Sequence, residues 1–127
     1  MGLIEKYAYK RIYKKAALVK REVIIPQSES IKKVAVLWQP SEAEAFSFLQ
    51  NHFSKQQVIL RNMCVDLYKE EVKATNIITA RDLNWMGLPR AESCENFITT
   101  DFDILLNIAL VQSLPITYIT ALSLAKF

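Results

Sequence analysis

Twice along this chain an uninterrupted apolar run breaks off at a polar, proline-bearing helix start. "KKVAVLWQP" (32–40) leads into "SEAEAFSFLQNHFS" (41–54), and "DFDILLNIAL" (101–110) leads into "SLPITYITALSLAK" (113–126). A strand packed on both faces needs apolar side chains on both, so it loses the in/out alternation of a half-exposed strand. Two such strand–helix units in series predict a single α/β domain: a mainly parallel open sheet with covering helices, of Rossmann-like layout. Between them, "QVILRNMCVDLY" (57–68) reads as a second strand and "NIITA" (76–80) as a weaker third. The specific expectation is that 33–38, 58–65 and 103–109 share one sheet and that 41–53 covers it. Ser41 with Glu44 three residues on has the spacing of a capping box. The last segment is β-branched enough for a strand. Pro115 in the first turn favours a helix instead, with Ile116, Ile119, Leu122 and Ser123 on one side.

At 127 residues, half of them apolar and 23% charged, the chain has the length and composition of one globular domain. No run of about 18 apolar residues exists, so no transmembrane segment is expected. Two cysteines thirty residues apart, Cys64 and Cys94, read as reduced thiols of a cytoplasmic protein.

The charge is uneven. Residues 1–22 carry seven Lys or Arg and two Glu, a net +5, whereas the remaining residues carry nine basic and eleven acidic side chains, a net −2. Residues 3–21 read as a helix, with Ala8, Ile12, Ala16 and Val19 on the apolar side and Lys6, Lys10 and Lys14 opposite. The organisation expected is a basic N-terminal helix over 1–22, a linker over 23–31 and an α/β domain over 32–127. That domain looks truncated, because a further strand would be expected after Phe127.

Three stretches, "DLNWMGLP" (82–89), "FDILLNIAL" (102–110) and Pro115–Tyr118 with "SLAKF" (123–127), resemble a family of short, uncharacterised bacterial proteins. The resemblance spans roughly residues 30–127 and implies no activity. In that family the last motif continues into a Lys-Val/Ile-Gly step absent here. The layout "FDILLNIAL…LAKF" is also similar to the first nucleotide-fold half of bacterial heptosyltransferases, which implies fold alone.

Chemistry is bounded mainly by what is missing. Gly2 and Gly87 are the only glycines, so no Gly-rich loop can bring backbone N–H groups onto a phosphate, and no cofactor is expected. The single imidazole, His52, has no Cys, Asp or Glu at ligand spacing, and no metal site is expected. Asp101 and Asp103 flank Phe102 and read as solvating the start of a buried strand. In open α/β sheets ligands gather at the carboxyl ends of strands. The candidates there are Trp38, Gln39 and Ser41 after the first strand, Asp66 and Tyr68 after the second, and Asn107 late in the last. Ser41 reads as a helix cap or an anion site at a helix N-terminus, and Asn107 as a tie to a loop or a ligand contact.

"DLNWMGLPR" (82–90) holds three apolar side chains among turn formers. Either the loop folds back and buries Trp85, at a cost of about 3–5 kcal/mol when truncated to Ala, or Asn84 and Trp85 wall a pocket beside Trp38. The favoured expectation is burial.

Two functions fit these readings. The first is a non-enzymatic binding or interaction module, engaging a protein partner or a second copy of itself, or a polyanion or anionic membrane surface through Lys6, Lys10, Arg11, Lys14 and Lys15, with Tyr7, Tyr9 and Tyr13 interleaved to stack bases. The alternative is a single-domain transferase-like enzyme related in layout to sugar-nucleotide glycosyltransferases.

Overall fold

The computed structural model describes residues 2–19, 31–70, 74 and 76–127. Helix α1 (Leu3–Ala16) comes first, followed by strand β1 (Lys33–Trp38) and helix α2 (Ala43–Ser54). Strands β2 (Ile59–Asp66) and β3 (Ile77–Thr79) come next, then helix α3 (Ala91–Thr99), strand β4 (Ile104–Asn107) and helix α4 (Leu114–Leu122). The four strands form one sheet in the order β3-β2-β1-β4, every pairing parallel. The three apolar runs therefore share one sheet as expected, with ends shifted by a residue or two.

The lack of alternation in β1 has a direct structural counterpart. Val34, Val36 and Trp38 face α2 and pack with Phe46 and Cys64. Ala35 and Leu37 face the other way and pack with Met63, Val65 and Ile78 beneath α1, α3 and α4. Both faces are dry, so both registers are apolar. Burial of this kind is worth roughly 1.5–3 kcal/mol for each large side chain. β4 lies at the sheet edge and divides similarly, with Ile104 and Leu106 on the α2 side and Leu105 on the other.

Segment 114–122 is helical, and Ile116, Ile119, Leu122 and Ser123 are buried on one side as expected. Pro115 occupies the first turn, where its missing N–H costs no helical bond. Helix α1 is shorter than its reading. It ends at Ala16, a turn follows, and Val19 packs against the core from outside the helix. Ala8 and Ile12 are fully buried against the α4 side. The expected linker, save Ile31, and Lys20, Arg21 and Glu22 lie outside the described residues.

The capping box at Ser41 does not form. A 3-10 turn over Pro40–Glu42 intervenes and makes Glu42 the residue before α2, while the Ser41 hydroxyl donates to the Glu42 carboxylate. A true capping box lies elsewhere, between Thr79 and Asp82. No helix among the described residues is long and apolar enough to cross a membrane.

Candidate functional site

The candidates at the strand carboxyl ends separate. Trp38 is 1% exposed, stacks on Phe46 at 4.4 Å between ring centroids, and donates its indole N–H to Asn62 Oδ1 at 3.2 Å. It is a core side chain and walls no cleft. Gln39 and Ser41 line an open cleft of about 310 Å³ together with Asp66, Tyr68, Glu70 and Gln112. The buried Asp66 accepts the Glu70 amide at 2.9 Å, and the buried Glu42 behind Ser41 accepts the Leu110 amide at 3.3 Å. The N-terminus of α2 thus already has a carboxylate at it, and the described residues of the cleft lining include two more and no Lys or Arg. Asn107 is exposed rather than buried. Its Oδ1 accepts the Ala109 amide at 3.1 Å and its Nδ2 donates to Gln112 at 3.2 Å, which ties down the loop after β4.

Asp101 and Asp103 serve the start of the sheet. Asp103 Oδ2 accepts the Lys32 and Lys33 amides at 2.8 and 2.9 Å, and Asp101 pairs with Lys33 at 3.3 Å. Desolvation pushes the Asp103 carboxyl up, but those two amides and Lys126 outweigh it and leave it below the ordinary carboxylate range. A hydrogen bond and the charge of Lys33 hold the Asp101 carboxyl down as well.

A second cleft, about 380 Å³, lies between α3 and β2 and includes Arg61, Glu92, Cys94 and Phe97. Its thiol is no nucleophile at neutral pH: burial pushes Cys94 up to about 11, although Lys15 pulls the other way. Burial, helped by Asp66, Glu42 and Glu70, pushes Cys64 up to about 12. His52 is exposed on α2, 3.1 Å from the Gln56 side chain.

The expectation that Trp85 is buried is overturned: it is 73% exposed. The loop does contain a plug, but the plug is Leu88, at 1%. The turn itself decides this. Asn84 Oδ1 accepts the Met86 and Leu88 amides at 2.9 and 3.1 Å. The Asn84 amide donates to the Leu88 carbonyl at 2.8 Å, and the Gly87 amide to the Asn84 carbonyl at 3.0 Å. Gly87 adopts φ +82°, a conformation that side-chain-bearing residues rarely take. Leu83 bridges to Pro89 below. The hairpin-like turn sends Leu88 into the core and holds the indole outward.

The indole borders a cleft that it shares with α1. Trp85 and Met86 line an open cleft of about 370 Å³ with Tyr7, Lys10, Arg11 and Lys14. Three of the five expected polyanion contacts thereby meet one of the expected ligand contacts, more than seventy residues apart in sequence. Lys6 is exposed on the same outer side of α1. Lys15 does not join them: its ammonium donates to the Tyr118 hydroxyl at 3.2 Å and lies 5.4 Å from that ring's centroid, which fastens α1 to α4. Asn84 shapes the turn rather than the cleft. Trp38 packs on the α2 side of the sheet, whereas the loop carrying Trp85 packs on the other through Leu83, Met86 and Leu88, so the two do not form the expected pocket wall. No group of three or more His, Cys, Asp or Glu that could hold a metal occurs among the described residues.

A model for a family of unknown function, DUF6913, matches residues 4–127, a span that includes nearly all of α1. Neither the curated proteins nor the solved structures contain a match to the chain.

Proposed function

The chain belongs to the DUF6913 family, whose description assigns no function, and we propose that this member is a non-enzymatic binding module that holds a polyanion on the outer face of α1. One observation carries the reading: Lys10, Arg11 and Lys14 converge with exposed aromatic side chains on a single open cleft. The inner face of α1 is committed to the core through Ala8 and Ile12, so its orientation is fixed and Lys10, Arg11 and Lys14 lie together on its exposed side. Fixed cations gain more from a multivalent anion than mobile ones, because less ordering entropy is lost on binding. The +5 charge of residues 1–22 against −2 for the remainder gives the same polarity at longer range.

The sugar-nucleotide alternative meets an electrostatic obstacle. A diphosphate at the strand ends would face Asp66 and Glu70, with no Lys or Arg among the described residues of the cleft lining. Like charges at such a site cost binding energy.

The test is a titration of the full chain with fluorescent heparin across a salt series. Tight binding at low salt is expected, falling roughly fifty-fold between about 50 and about 200 mM for some four charges engaged. A variant carrying Lys10→Glu, Arg11→Glu and Lys14→Glu should lose binding and keep its melting temperature, since all three side chains are solvated. Equal affinity of variant and parent at every salt concentration would sink the reading.

A further inference from the structure

We infer that the occupant of the α1 cleft is an unpaired stretch of nucleic acid, one base of which stacks on Trp85. This rests on the polyanion reading above and narrows it to a chemical class.

The indole is the starting point. An aromatic side chain offers 150–250 Å² of largely apolar surface, and folded chains normally bury it. This loop buries Leu88 and leaves Trp85 73% exposed. The exposure is not the slack of a loose loop. Two amides on Asn84 Oδ1, two backbone bonds across the turn and the Leu83–Pro89 bridge fix the residues on either side. An exposed indole on an anchored backbone presents a stacking surface from a defined place in the fold.

Its surroundings match the two parts of a nucleotide. Tyr7, 55% exposed, is a second aromatic group in the same cleft. Lys10, Arg11 and Lys14 supply cations for the backbone, and Lys6 extends the row. At 1.5 Å per helical residue, Lys6 to Lys14 spans about 12 Å, the length of about three or four stacked nucleotides. Single-strand binders combine the same two elements, a cationic track and aromatic side chains that accept any base. A duplex hides its bases in its own stack and would leave the indole unused.

An anionic bilayer surface is the competing occupant, because the cleft is shallow and Trp85 and Tyr7 stand exposed at it. The row of cations, matched in length to a few stacked nucleotides, favours a strand, and vesicles are an arm of the test.

The experiment uses the full chain with five kinds of probe: single-stranded dT and U 12-mers, a DNA duplex, heparin, polyglutamate, and vesicles with and without phosphatidylserine. Either 12-mer is expected to bind more tightly than duplex. Trp85→Ala should weaken 12-mer binding by roughly 5- to 150-fold and change heparin binding far less, while Trp85→Phe retains most of the affinity. Adding a 12-mer should quench the acrylamide-accessible fluorescence, which reports Trp85 because Trp38 is buried. Full affinity of Trp85→Ala for the 12-mers, or duplex bound as tightly as single strands, overturns the inference. So does Trp85-dependent binding to vesicles or polyglutamate without binding to the 12-mers. Heparin binding without 12-mer binding refutes this inference and leaves the polyanion reading standing, whereas failure of both refutes both.

Discussion

Trp85 and Leu88 sit three residues apart in one turn, and the fold treats them in opposite ways. Leu88 fills the core beneath α1 and α4, so Leu88→Ala removes buried methyl groups and leaves a cavity. It should cost about 2–5 kcal/mol in chemical denaturation. Trp85→Ala should stay within about 0.5 kcal/mol of the parent, as for other solvated positions. A Trp85→Ala loss of several kcal/mol would show that the indole is structural. The sequence favoured a loop that plugs itself into the core over a pocket wall, but it pointed to Trp85 where the structure uses Leu88. Direction in a turn is set by where the Asn84 side chain anchors the backbone, and many residues tolerate being Asn's neighbours.

At the level of elements, the start of β4 is fastened by one carboxylate. Asp103 accepts two backbone amides of the chain entering β1 and lies 3.7 Å from the Lys126 ammonium. Asp103→Ala leaves those amides unpartnered at the sheet's end and should cost about 1–3 kcal/mol at neutral pH. The pH dependence has a definite sign. The folded carboxyl lies below its ordinary value of 3.8. Its stabilising contribution is therefore complete above the unfolded value and disappears as pH falls below 3.8 through the folded one. The gap between parent and variant in urea midpoints should close in acid, and a gap constant from pH 7 to pH 2 would contradict the assignment. The role was legible in outline, since an Asp before a buried strand commonly solvates its start. Its partners were not, because Lys32 and Lys33 lie some seventy residues away.

For the molecule as a whole, the two thiols report on the integrity of the three-layer body. Cys64 lies in the layer under α2 and Cys94 in the layer under α3. Both fold with pKa values raised above 9.0, to about 12 and about 11. The unfolded chain thus releases these protons first as pH rises. The stability they contribute is complete below about pH 9 and is lost between there and the folded values. Cys64→Ala should flatten the alkaline decline in melting temperature relative to the parent. Below pH 9 neither thiol should react with iodoacetamide until the chain opens, and rapid modification of the native protein would contradict the burial.

The order of the strands, the helices on either side of them and the parallel sheet were determined by the sequence alone, while the sequence leaves α3 open between a loop and a short helix. An apolar run without alternation specifies a strand covered on both faces, and a proline at a helix start specifies where the run stops. These are local properties of hydropathy and backbone geometry, readable residue by residue. The basic character of α1 was equally plain from composition. Only the tertiary structure decided that Trp38 is core and Trp85 is not. It also decided that Lys15 faces Tyr118 while Lys10, Arg11 and Lys14 face an indole from the other half of the chain. Those choices depend on which surfaces meet once α1 lies against α4. Periodicity carries no information about the partner of a solvated face, because water accepts any polar pattern, whereas a packed face accepts very few.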